Sequence, residues 1–150
     1  MNRDRAVRMD NILLVVEDLD AAITFFAELG LELEGRTTVQ GPWVDKIVGL
    51  EGVRSEIATM RTPDGHGRIE LDKFHTPEIV RPEPAHAPVN TLGIRRIMFE
   101  VPDLDDVLAR LRKRGAELIG EVVQYENAYR LCYLRGPDGI IIALAQALAA

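Results

Sequence analysis

The chain repeats itself, and this internal repeat is the feature that most limits how it can fold. Residues 9–39 align on residues 94–124 without gaps at an offset of 85, and nine of the 31 aligned positions are identical. Because both copies have the same apolar pattern to bury, we expect two similar units packed against each other. The identical pairs are Ile12/Ile97, Val16/Val101, Asp18/Asp103, Leu19/Leu104, Asp20/Asp105, Gly30/Gly115, Glu32/Glu117, Leu33/Leu118 and Gly35/Gly120.

Each copy begins with the sequence pattern of a strand followed by a helix. Residues 11–16 form an apolar run with β-branched residues, which predicts a strand. Asp18 then offers a side-chain oxygen to the first free N–H groups of a helix, and Gly30 suits the left-handed conformation in which helices end. The pattern predicts helices over 19–29 and 104–114.

A hairpin completes each copy. Pro63-Asp64-Gly65 and its counterpart Pro137-Asp138-Gly139 are turn sequences that lie between extended segments. The predicted fold class is therefore α+β, with two βαβββ modules that form a cupped mixed sheet around a cavity. The other strands are predicted at 31–39, 55–61, 68–74, 94–101, 117–124, 129–135 and 140–146.

The repeat also defines the domain organisation. Residues 1–150 are expected to form one domain, made of a module at 9–74, a linker at 76–90 and a module at 94–146. The linker holds four of the eight prolines, which favours an extended segment. The offset falls from 85 to 74 at the hairpins, so the first module carries eleven extra residues between Gln40 and Glu56. This insertion is either a lid over the cup or an ordinary surface loop.

Composition excludes several functional classes. The net charge of −6 argues against nucleic-acid binding, and no run of about 18 apolar residues predicts a membrane span. The first ten residues lack the apolar core of a signal peptide, and the single cysteine, Cys132, fits a reducing compartment. We therefore expect a cytoplasmic protein whose partner is a small molecule.

Three segments resemble the vicinal oxygen chelate superfamily, which includes glyoxalase I, bleomycin resistance proteins and extradiol dioxygenases. These segments are Asp10–Asp20 (DNILLVVEDLD), Ile94–Asp105 (IRRIMFEVPDLD) and Arg135-Gly136-Pro137-Asp138-Gly139. The resemblance covers almost the whole chain. It implies two βαβββ modules whose eight strands form a cupped sheet with a metal site in its floor. Many members are dimers, so the resemblance also implies a homodimer.

The resemblance places the family's four metal ligands at Asn11, Glu70, Arg96 and Ala143. Glu70 alone is a strong ligand, and Arg96 carries a permanent positive charge. At about 5 Å and an effective dielectric near 20, a dication and a guanidinium group repel by about 6–7 kcal/mol. We therefore expect no metal and no other cofactor at this position.

Arg96 is expected to stand where the family holds its metal. In this interpretation Glu70 is its counter-ion within salt-bridge reach, and Asn11 lies beside them. The three side chains then hold a carboxylate, phenolate or carbonyl group of a ligand, because a guanidinium group presents a rigid fork of donors. The alternative is a closed polar network that fills the floor of the cup.

Other candidate ligand-binding residues form two groups. One is an aromatic and polar stretch that either rims the cavity or packs as ordinary strand residues. The other lies in the insertion. The two groups are Tyr125, Tyr129, Arg130 and Tyr133, and Trp43 and Asp45.

Three functions compete. The sequence favours a metal-independent binding protein of the glyoxalase and bleomycin resistance type that sequesters or carries a planar or anionic small molecule. The alternative is an enzyme of lyase or isomerase type, with Arg96 as electrophile and Glu70 as acid or base. A metal-dependent glyoxalase or dioxygenase is opposed by the missing ligands.

Overall fold

The computed structural model describes residues 7–148 and has two βαβββ modules. The first contains an additional helix in the insertion. This confirms the predicted α+β fold class with two modules. The elements are β1 (Ile12–Val15), α1 (Leu19–Leu29), β2 (Glu32–Gln40), α2 (Pro42–Val48), β3 (Arg54–Arg61), β4 (Arg68–Thr76), β5 (Ile97–Glu100), α3 (Leu104–Arg112), β6 (Glu117–Tyr125), β7 (Tyr129–Arg135) and β8 (Ile141–Ala147).

The two four-stranded mixed sheets have the same topology. Their strand orders are β1-β4-β3-β2 and β5-β8-β7-β6, and the first strand of each module pairs in parallel with its last. Leu13 lies opposite Glu70 in one sheet, and Met98 lies opposite Ala143 in the other. The repeat in the sequence therefore corresponds to a repeat in strand register, and Glu70 and Ala143 occupy equivalent positions.

One hydrophobic core joins the two modules. It contains residues of α1 and α3 together with the strand residues that face these helices. Phe26 and Leu111, one from each helix, are both fully buried. Within residues 7–148, every helix is too short or too polar to cross a bilayer. The fully buried large side chains of this core are Phe26, Met60, Leu71, Leu104, Leu111, Leu134, Ile142, Leu144 and Val16.

Both main helices begin as their sequences predict. The carboxylates of Asp18 and Asp103 accept hydrogen bonds from the backbone N–H groups of Ala21 and Asp106, at 3.0 and 3.1 Å. Gly30 follows α1 with φ +123°, a conformation that favours glycine. The helix α3 ends at Arg112, two residues before the predicted end, because residues 113–115 form a turn.

Two further segments differ from the sequence prediction. The fifth strand begins at Ile97 rather than at residue 94, so Arg96 precedes it. The insertion contains the helix α2, which the sequence analysis did not predict. Pro42 stands at the first position of this helix, where its missing N–H group costs nothing.

The proline-rich linker makes turns at residues 85–86 and 89–90, where the sequence favoured an extended segment, and it lies against both modules. Arg81 pairs with Glu17, which follows β1, while the guanidinium group of Arg135 in β7 donates to the carbonyl oxygen of Ala87. A Cβ atom at Gly139 would lie 2.8 Å from the ring of His86. The linker is thus held closely against the end of the second hairpin.

Candidate functional site

One face of each sheet packs on the helices, and the other carries the candidate site. In β4, Ile69 and Leu71 point into the core, so Glu70 and Asp72 lie on the opposite face. We call this face of both sheets the site face. In the second sheet it carries Ala143 and its cross-strand partner Tyr133.

The first sheet places two carboxyl groups together on its site face. Glu70 and Asp72 are two residues apart in β4, so their side chains point the same way. Asp72 is 6% exposed, and its Oδ1 atom is buried without a hydrogen-bond partner among the described residues. Burial, together with the neighbouring carboxyl group of Glu70, raises the pKa of Asp72 to about 8. Asp72 is therefore a neutral acid at pH 7.

The second sheet places a cation over an aromatic ring. The guanidinium carbon of Arg96 lies 5.6 Å from the centroid of the Tyr133 ring. This distance is within the range of a cation–π interaction. Arg96 is exposed, and the structure gives it no ion pair within residues 7–148. The guanidinium donors of Arg96 are therefore available to a ligand.

The expected ion pair between Arg96 and Glu70 is absent, which corrects the sequence analysis. No guanidinium nitrogen of Arg96 lies within 4.0 Å of a carboxylate oxygen of Glu70, and Arg96 lies over the ring of Tyr133 instead. The third member, Asn11, donates from Nδ2 to its neighbour Asp10 at 2.7 Å. The three side chains therefore do not form the closed polar network that was the alternative interpretation.

The residues of the aromatic and polar stretch lie on two faces of the sheet, the tyrosines on one and Arg130 on the other. Tyr129 and Tyr133 lie on the same face of β7, and Tyr125 pairs with Tyr129 at the end of the β6–β7 hairpin. Arg130 does not accompany them. It lies on the face of Cys132 and donates to both carboxylate oxygens of Asp105 in α3, at 2.8 and 3.0 Å. The expectation that Arg130 lines the cavity was wrong, because the pleat turns it towards the helix.

The two candidates in the insertion have different surroundings. Asp45 accepts hydrogen bonds from the backbone N–H groups of Gly52 and Val53, at 3.0 and 2.9 Å, so its carboxylate closes the insertion. Trp43 lies in α2 and is 58% exposed. Val44 is buried and anchors the helix. Trp43 is the member of this group whose side chain is available to a ligand.

The four positions of the family's metal ligands do not fit a divalent ion. Ala143 is fully buried and supplies no donor, while Arg96 brings a positive charge. Asn11 and Glu70 remain, one amide and one carboxylate, against the four or more donors that such an ion needs. Within residues 7–148 no group of three or more His, Cys, Asp or Glu residues is placed to hold a metal ion.

Sequence analysis missed three polar residues near these positions. Asp72 follows Glu70 by two residues, and strand alternation alone would have placed both on one face. Arg95 and Arg135 both contact the linker, and no local pattern predicts that contact. Cys132 is buried, and this burial raises the pKa of its thiol, so its environment is that of an unreactive cysteine.

Comparison with known proteins places this geometry in a family. Residues 8–144 match the model of the Glyoxalase/Bleomycin resistance protein/Dioxygenase superfamily. The chain belongs to this superfamily. The match spans both modules and the linker.

Three relatives illustrate the range of similarity. A glyoxalase family protein from Bacillus cereus has 55% identity and a TM-score of 0.93, with 99% of each chain covered. YwbC of Bacillus subtilis, which is uncharacterised, is 31% identical over 140 residues, covering 89% of this chain and 93% of YwbC. A V278E mutant of maize glyoxalase I shares the fold at 17% identity and a TM-score of 0.68. The alignment covers 95% of this chain and 45% of the maize chain.

Proposed function

We propose that this superfamily member is a metal-independent protein that sequesters or carries a planar or anionic small molecule. The observation that carries the proposal is the Arg96 guanidinium group over the Tyr133 ring. A guanidinium group placed over a ring in this way keeps its N–H donors free for a carboxylate or phenolate, and an aromatic ring beside it suits a planar group. Both side chains lie on the site face. This is the face on which the family resemblance places the binding site.

The proposal includes a homodimer in the cytoplasm. Large apolar side chains are open to solvent on both site faces, with Leu13 48%, Val15 43% and Met98 39% exposed. A second copy that covers them buries this surface, and paired surfaces of this kind are typical of homodimers. Light scattering during gel filtration should give twice the mass of 16.7 kDa. A single-chain mass at micromolar concentration would contradict the dimer.

Binding of naphthalene-2-carboxylate, a planar fluorescent anion, tests the proposed function. We expect the wild type to bind it and Arg96→Gln to bind it at least about tenfold more weakly, because a charge-assisted hydrogen bond is lost. Fluorescence titration measures both affinities. Arg112→Gln, at an exposed position at the end of α3, is the matched control and should bind as the wild type does.

Two results would contradict the binding function. One is a wild type that binds no planar anion, and the other is an affinity that Arg96→Gln leaves unchanged. Uncharged naphthalene should bind more weakly than the carboxylate in the wild type. The advantage of the carboxylate over naphthalene should be smaller in Arg96→Gln than in the wild type, which measures the contribution of the Arg96 charge.

A lyase or isomerase is the second candidate, and Asp72 is the observation that favours it. A carboxyl group with a pKa of about 8 can donate a proton near neutral pH. Glu70 is half-buried and would touch the substrate, while Asp72 lies behind it and would supply or store the proton. Turnover of a candidate substrate that Glu70→Gln abolishes would favour this function over simple binding.

A further inference from the structure

A small cavity lies between the linker and the adjoining strands of both modules. Its volume is about 310 Å³, at the lower end of the range of about 300–1,000 Å³ that is usual for ligand pockets. The linker contributes prolines and alanines, and β1 contributes apolar residues. The lining includes Leu13, Val15, Pro82, Pro84, Ala87 and Ile141.

Positive charge is concentrated in this cavity although the chain is acidic overall. Arg95, Arg96 and Arg135 line it together with one carboxylate, that of Asp138. Asp138 already accepts a hydrogen bond from the backbone N–H group of Glu17 at 3.0 Å. Among the residues from 7 to 148, no carboxylate lies within 4.0 Å of these three guanidinium groups. None of the three guanidinium groups is therefore in a direct ion pair with a carboxylate of the described residues.

Two of these cations are held next to each other. Nη2 of Arg95 and Nη2 of Arg135 both donate to the carbonyl oxygen of Ala87, at 2.8 and 2.7 Å. Like charges in such proximity repel unless an anion lies between or beside them. The arrangement thus favours binding of a negative group.

Each guanidinium group is also fixed in direction before any ligand binds. Arg95 donates to the carbonyl oxygen of Pro88 at 3.0 Å, and Arg135 donates to that of Gly139 at 2.9 Å. Fixed donors lose little side-chain freedom on binding. The Nε atom of Arg95 is buried and has no hydrogen-bond partner among the described residues. A buried donor without an acceptor is costly, so the described residues leave one donor of Arg95 unsatisfied beside the cavity.

We propose that the cavity at Arg95 and Arg135 binds the anionic group of the ligand, a phosphate or a carboxylate. Both groups present several oxygens to paired guanidinium donors. The inference rests on the proposed function for the existence of a small-molecule ligand, and it adds the chemical class of one end of that ligand. Arg96, which reaches the same cavity, connects this subsite with Tyr133.

Calorimetric titration of the full-length protein tests the subsite, with inorganic phosphate in one arm and acetate in the other. The ionic strength is kept constant with sodium chloride. The wild type should bind one anion per chain, and the arm with the higher affinity identifies the group. Arg95→Gln and Arg135→Gln should each weaken binding at least about tenfold. Arg112→Gln should leave binding unchanged.

A second measurement avoids variants, because both arginines also hold the linker. Phenylglyoxal modifies arginine side chains, and mass spectrometry reports the extent at each position. Saturating phosphate should protect Arg95 and Arg135 but not Arg112. The absence of anion binding by the wild type, or equal modification with and without anion, overturns the subsite. Phosphate or acetate binding without binding of naphthalene-2-carboxylate would keep the subsite and reject the proposed function. Binding of naphthalene-2-carboxylate that Arg95→Gln and Arg135→Gln leave unchanged, with neither phosphate nor acetate bound, would reject the subsite alone.

Discussion

Replacement of Leu111 by alanine is expected to lower the free energy of unfolding by about 3 kcal/mol. Leu111 is fully buried in α3 and belongs to the core that both modules share. The loss combines the transfer free energy of the removed methyl and methylene groups with the cost of the cavity they leave. Urea denaturation followed by circular dichroism measures the change.

Leu92→Ala provides the matched control, because the same substitution is made at a side chain that is 98% exposed. Its effect should stay within about 0.5 kcal/mol. Leu111→Ala should also unfold in a single transition, since the core contains residues of both modules. Two separate transitions, with the first module retaining its stability, would contradict a shared core.

Asp72→Asn should stabilise the protein in alkaline solution, by several kcal/mol at pH 8.5. The folded-state pKa of Asp72, about 8, lies above its ordinary value of 3.8. Between these values the folded protein holds a proton that the unfolded chain has released. The free energy of unfolding of the wild type therefore falls as the pH rises from about 4 to about 8. Asparagine removes this dependence, and the two proteins should converge near pH 4.

Urea denaturation at several pH values measures this difference, and Asp105→Asn is a control with the opposite sign. The hydrogen bonds from Arg130 lower the pKa of Asp105, so its contribution is present above its ordinary pKa and lost in acid. Asp105→Asn should thus be less stable than the wild type at pH 8.5. Identical pH dependence of the wild type and Asp72→Asn would show that Asp72 is ionised in the folded protein.

The fold was predictable because its signals are local and occur twice. Asp18 and Asp103 cap their helices, and the turns at Pro63 and Pro137 lie where the hairpins reverse. Each signal depends on a few neighbouring residues. The helix α2 was missed because its seven residues lie in the insertion, which has no counterpart in the second module for comparison.

The site was less predictable because it depends on contacts between distant residues. Alternation along β4 does place Glu70 on the site face, and the register confirms its equivalence to Ala143. The predicted partner of Arg96 was wrong, because β7, which is separated from β5 by β8, places the ring of Tyr133 under the guanidinium group, a position that the sequence does not indicate. Arg95 and Arg135 meet at a linker carbonyl 48 residues from one of them, a contact that no spacing rule predicts.

The two equivalent strand pairs also indicate how one half of the molecule can be rebuilt from the other. Glu70 lies opposite the small residue Thr59, whereas Ala143 lies opposite the large residue Tyr133. Each pair joins one large and one small side chain. The large one lies in the last strand of the first module but in the preceding strand of the second module. A carboxylate introduced at position 143 alone would compete with the phenol ring for the same space. Engineering that copies the first half into the second must therefore exchange residues 133 and 143 together, and natural divergence between the halves faces the same steric coupling.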